Sequence, residues 1–128
     1  MTYPANSGKA IILVVEDEPL LRMLAVDFIE DAGFDVVEAN SADAAVAILE
    51  ARTDIRIVFT DIDMPGSMDG MKLAAAIRDR WPPIEIVIVS GHKRHVDITL
   101  PPRAVFFTKP YDIPTVITTF EQMARMVD

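Results

Sequence analysis

Apolar residues fall in short blocks that alternate between two spacings, and each block stops at a cluster of polar or turn-forming residues. Ala10-Ile11-Ile12-Leu13-Val14-Val15 is an unbroken β-branched run that ends at Glu16-Asp17-Glu18-Pro19. Such a run predicts a buried strand followed by a loop, and Pro19 suits the first turn of a helix. Leu20, Leu21, Leu24, Phe28 and Ile29 follow at helical spacing, and Gly33 ends that helix. Phe34 to Ala39 predicts a second strand. Ser41 can cap a helix whose apolar stripe is Ala42, Ala45, Val46 and Leu49.

The alternation then repeats. Ile55 to Thr60 predicts a third strand that stops at Asp61, and Met71 to Trp81 a helix with Leu73, Ala74, Ile77 and Trp81 on one face, broken by Pro82-Pro83. Ile84 to Val89 predicts a strand ending at Ser90-Gly91. His92 to Leu100 carries a weak helical pattern closed by Pro101-Pro102. Ala104 to Phe107 predicts a fifth strand, ending at Thr108-Lys109-Pro110. A last helix from about Ile113 turns Val116, Ile117, Phe120, Met123 and Val127 inward. Five strand-helix units with near-continuous apolar strands predict an α/β domain whose parallel sheet is covered on both faces. Residues 1–8 are expected to be a flexible tail and residues 9–128 the domain.

Composition narrows the chemistry. With 128 residues the chain suits one domain, and an apolar share of 51% argues against disorder. No apolar run reaches the roughly 20 residues of a membrane span, and no signal-peptide core is visible near the start, so a cytoplasmic location is expected. The absence of cysteine excludes disulfides and thiolate chemistry. A net charge of -8 argues against direct nucleic-acid binding.

In open α/β sheets, ligands gather at the carboxyl ends of the strands. Here those ends carry Glu16, Asp17 and Glu18 after the first strand, Asp61 and Asp63 after the third, Ser90 after the fourth and Lys109 after the fifth. Singly, each has a plainer reading: acidic residues at a helix start, loop carboxylates, a serine-glycine turn, a surface lysine. Together they describe crowded carboxylates, whose repulsion a hard divalent cation such as Mg2+ would relieve, beside a hydroxyl and an ammonium suited to a phosphoryl group.

The order of these residues resembles the receiver (CheY-like) domain of two-component response regulators, over essentially Lys9 to Val127. Its most specific segment is Phe59-Thr60-Asp61-Ile62-Asp63-Met64-Pro65, followed by Met68-Asp69-Gly70. The resemblance implies a flavodoxin-like sheet of strand order 2-1-3-4-5 and a phosphorylation-activated switch rather than an enzyme. It implies that Asp61 accepts a phosphoryl group from a sensor histidine kinase or phosphotransfer protein. Mg2+ would be held by Asp17, Asp61 and the backbone carbonyl of Asp63, with Glu16 acting partly through a water. Lys109 would pair with Asp61, Ser90 would donate to a phosphoryl oxygen, and Phe106 would change rotamer, altering the face of helix four, strand five and helix five toward an unidentified downstream protein. A monomer or weak homodimer is expected.

Three features depart from the family pattern. The loop Pro65 to Gly70 is one residue longer than usual. The fourth-helix region is basic and proline-bounded. His92 and Asp63, two residues beyond Ser90 and Asp61, are expected to flank the path of the hydrolytic water. Rival readings are a haloacid dehalogenase-type aspartyl phosphatase, a flavodoxin-like binding module, a non-phosphorylated structural receiver, and a receiver piece of a longer hybrid kinase or phosphorelay protein.

Overall fold

The computed structural model describes residues 10–66, 68–91 and 100–125. Their elements run β1 (Ile11–Val15), α1 (Pro19–Asp31), β2 (Asp35–Ala39), α2 (Ala42–Ala51), β3 (Ile55–Asp61), α3 (Gly70–Arg80), β4 (Glu85–Ser90), β5 (Ala104–Thr108) and α4 (Ile113–Arg125). All strand pairings are parallel, in the order β2-β1-β3-β4-β5, as expected from the sequence. The weak helix expected at His92 to Leu100 lies, except for Leu100, outside the described residues, as do the expected tail 1–8, Lys9 and Val127.

The local signals act as their chemistry predicts. Pro19 opens α1, and Gly33 follows its end with φ of 100°, a conformation glycine adopts without strain. Ser41 caps α2 by accepting from the Ala44 N–H at 3.0 Å. Asp69 caps α3 through the Lys72 N–H at 2.9 Å.

Parallel strands buried on both faces split the core in two. Ala42, Ala45 and Leu49 of α2 and Leu73, Ala74 and Ile77 of α3 pack on Leu13, Val15, Val58, Ile86 and Ile88. On the other face, Ala25 and Ile29 of α1 and Val116, Phe120 and Met123 of α4 pack on Ile12, Val14, Ile57, Phe59, Val87 and Val89. Phe120 is fully buried and meets Phe59 edge-on at 5.5 Å; burying one such side chain contributes about 1.5–3 kcal/mol.

One expected stripe is corrected. Leu20, Leu21 and Leu24 are not inward: their exposures are 57%, 44% and 53%, and Met23 is equally open. The first turns of α1 are apolar on more than one side, so spacing alone does not choose the inward face. Arg22 takes the inner position there, its guanidinium donating to the Glu16 carbonyl at 2.9 Å and to Glu38 at 3.1 Å.

Glu85 is the other surprise. It lies buried at the start of β4 and is bonded by Arg103, whose Nε donates to it at 2.9 Å. Arg103 has φ of 61°, and Arg78 donates to the carbonyls of Pro82, Pro102 and Arg103, tying the two turns at this end together.

Candidate functional site

Backbone pairing carries the polar residues to one edge. Glu16 continues β1, its N–H donating to the Ala39 carbonyl at 3.1 Å; Ile62 continues β3 toward Val89 at 2.9 Å; Lys109 continues β5 toward Ser90 at 2.8 Å. Each extension fixes where the next side chain emerges, because strand side chains alternate between faces.

Asp61 sits at the centre, 6% exposed. Its Oδ2 accepts from Lys109 Nζ at 2.7 Å and its Oδ1 from the Asp63 N–H at 3.0 Å. Lys109 Nζ also lies 3.8 Å from Glu16 Oε1, so one ammonium serves two buried carboxylates. Burial pushes the Glu16 carboxyl up to about 7, and repulsion from Asp61 adds to this, while the Glu18 N–H and Lys109 oppose it. Ser90 is fully buried, and its hydroxyl donates to Asp63 Oδ2 at 2.9 Å. The Asp63 carboxylate therefore reaches across to β4. Asp17, by contrast, is only partly buried.

Gly70 explains how close α3 comes. A Cβ there would fall 2.1 Å from the Asp61 carbonyl oxygen and 2.7 Å from the Ile62 Cα, and the Gly70 N–H donates to the Ile62 carbonyl at 3.0 Å. Only glycine lets the helix start against the end of β3.

Among the described residues no group of three His, Asp or Glu side chains forms a ready metal cage. The donors present are carboxylates and chain carbonyls, a set that suits Mg2+, which keeps several waters and needs few protein ligands. The single ammonium between Glu16 and Asp61 leaves the carboxylates under-compensated, which fits a cation at this edge.

The sequence did not single out Tyr111. Its ring packs edge-on against Phe28 and Phe59 at 6.0 and 5.9 Å, and burial, with Glu16 and Asp61 nearby, pushes its hydroxyl up to about 12. It helps wall a cleft of about 660 Å3 beside Asp61, with Leu21, Leu24, Phe28, Phe59 and Ile113. The Lys109-Pro110 bond that precedes Tyr111 is cis. Phe106 is partly buried against the α2 and α3 side of the sheet. His92 lies outside the described residues.

Residues 12–121 match the response regulator receiver domain family. The chain belongs to the response regulator receivers. It is 32% identical over 126 residues to the sensor kinase CckA of Brucella abortus (strain 2308), covering 95% of this chain and 13% of that protein. The chain thus spans about an eighth of the length of that curated relative. A response regulator receiver protein from Sinorhizobium medicae WSM419 superposes with a TM-score of 0.82 at 28% identity, covering 92% of this chain and 96% of that one. TrrA from Thermotoga maritima, solved in complex with Mg(2+)-BeF, shares the fold with a TM-score of 0.81 at 22% identity, covering 89% of this chain and 98% of that one. As a receiver the chain is a phosphorylation-activated switch of two-component signalling. Family membership favours this over the haloacid dehalogenase-type reading. No helix among the described residues is long and apolar enough to cross a membrane.

Proposed function

We propose that Asp61 is the phosphoacceptor of this receiver and that Lys109 and Ser90 serve the transfer and its readout. The observation that carries the reading is the 2.7 Å pair between Lys109 Nζ and the buried Asp61 carboxylate at the carboxyl edge of the sheet. Backbone pairing pre-positions both groups, so little rearrangement is needed when a phosphoryl donor arrives in line with the carboxylate.

Asp17, Asp61 and the Asp63 carbonyl, with Glu16 behind them, would hold Mg2+. When bound, the cation offsets charge where two anions must meet. Lys109 offsets the charge that builds on the phosphoryl oxygens once Asp61 is modified. Ser90 then exchanges its bond to Asp63 for one to a phosphoryl oxygen, and Phe106, on the strand beside β4, takes up the volume released. That couples the event to the face formed by β5, α4 and the segment before β5. Asp63 flanks the approach of the water that later hydrolyses the acyl phosphate, and the switch turns over no other substrate.

The phosphoryl source is a phosphohistidine on a kinase or phosphotransfer protein. Its docking is supported by the exposed apolar side chains of α1 and Ile113, which border the cleft leading to Asp61. Intact mass after incubation with acetyl phosphate and Mg2+ tests the core of the proposal. Wild type is expected to gain one phosphoryl group and Asp61→Asn none. An unlabelled wild type, under conditions that label a control receiver, would sink it.

A further inference from the structure

The loop between β1 and α1 sets three carboxylates side by side, Glu16, Asp17 and Glu18. Their mutual repulsion would splay a free loop. A side-chain cap on the helix start is the common local remedy, and it is not used here. Glu18 stands at the cap position without a side-chain bond, and Pro19 follows. The loop takes its shape from Arg22, one turn into α1.

Several main-chain groups of the loop are bonded close by. The Glu16 N–H donates to the Ala39 carbonyl at 3.1 Å, the Glu18 N–H to the Glu16 carboxylate at 3.0 Å, and the Arg22 N–H to the Glu18 carbonyl at 2.9 Å. The Glu16 carbonyl accepts from Arg22 Nη1 at 2.9 Å. Through Nε the same guanidinium donates to the Glu38 carboxylate at 3.1 Å.

Both main-chain groups of Glu16 are thereby referred to β2. Glu38 faces Val14 in the parallel ladder, and Ala39 faces Val15, the last residue of β1. Ala39 holds the Glu16 N–H directly, and Glu38 holds the Glu16 carbonyl through Arg22. That carbonyl belongs to the peptide link that carries the chain on to Asp17. An exposed ion pair contributes little by itself, but the Arg22 side chain is only 21% exposed, while Leu20, Leu21 and Leu24 of the same turns face outward. The inner place goes to a guanidinium and not to a leucine, which points to a use for its two bonds.

We propose that Arg22 is a positioning residue for the cation. It fixes the peptide link between Glu16 and Asp17, and so the place from which Asp17 reaches the metal, while Glu38 orients its guanidinium. The inference rests on the reading of Asp17 and Asp61 as Mg2+ ligands. Groups that hold a metal ligand in place typically change metal affinity by about ten- to a hundredfold. Here the hold acts one peptide away from the ligand, so the effect is smaller. A lysine keeps the charge but presents its donors from one atom, and cannot bridge the Glu16 carbonyl and Glu38 as the planar fork does.

Mg2+ alone is titrated into the metal-free chain by calorimetry, with no phosphodonor present. Arg22→Lys and Glu38→Asp, which both keep the charge, are each expected to raise the Kd at least about threefold. The Mg2+ concentration for half-maximal labelling by acetyl phosphate is expected to rise by the same factor, a shift that a merely destabilised fold would not produce. Arg52→Lys, which alters an exposed ion pair ahead of β3, is expected to leave the Kd where it is. Equal Mg2+ affinity in a folded Arg22→Lys would overturn the proposal. Glu38 is half-exposed, so Glu38→Asp keeps the test open should the first variant not fold, and an equal affinity there overturns it too. A wild type that binds no Mg2+, or binds it equally after Asp17→Asn, would overturn the metal reading and the inference with it.

Discussion

Glu16 shows how much one side chain owes to its surroundings. Its carboxyl is pushed up to about 7 because it is buried beside Asp61 and shares a single ammonium with it. A carboxyl raised above its unfolded value of 4.5 binds more protons in the folded state. Its contribution to stability is therefore complete below about pH 4.5 and is lost as pH rises through about 7. Thermal melts of the metal-free protein are expected to show that loss between these limits, superposed on the titration of other groups, and Glu16→Gln to flatten it. Because a proton and a cation compete for the same carboxylate, Mg2+ affinity measured by titration is expected to rise over the same interval.

At the scale of elements, α1 separates two kinds of apolar residue that the sequence presents alike. Ile29 is fully buried and holds the helix to the sheet, whereas Leu21 and Leu24 stand half-exposed beside the cleft. Ile29→Ala is expected to cost about 2–5 kcal/mol in a denaturant melt. The pair Leu21→Ser and Leu24→Ser is expected to change stability by under about 1 kcal/mol, since surface substitutions rarely do more. If the exposed face docks the phosphodonor protein, that pair slows transfer from the phosphorylated donor at least about tenfold while labelling by acetyl phosphate stays unchanged. Equal rates from both donors in wild type and variant would remove α1 from the docking surface.

For the molecule as a whole, fold and switch rest on different forces. Two apolar clusters, one on each side of the sheet, hold the five strands and the helices together. The polar edge sits on top of that frame. Chelation is accordingly expected to leave the circular dichroism spectrum intact. Mg2+ with beryllofluoride should raise the melting temperature by a few degrees, as a ligand present at ~100 times its Kd adds about 2.7 kcal/mol. Unfolding on chelation alone would show that the metal is part of the frame.

The sequence by itself determined the alternation of elements, the Ser41 cap of α2 and the strand ends that bear Glu16, Asp61, Ser90 and Lys109. These follow from short continuous apolar runs, the 3.6-residue helical period and local turn chemistry, which nearby residues settle among themselves. Tertiary structure alone decided which apolar face of α1 turns inward. It also decided that Ser90 is bonded to Asp63, that Gly70 must lack a side chain, and that Glu85 is buried with Arg103. Each of these depends on what a distant segment brings within a few ångströms. Burial, register and the matching of donors to acceptors are properties of the pair, and no single stretch of chain contains both partners.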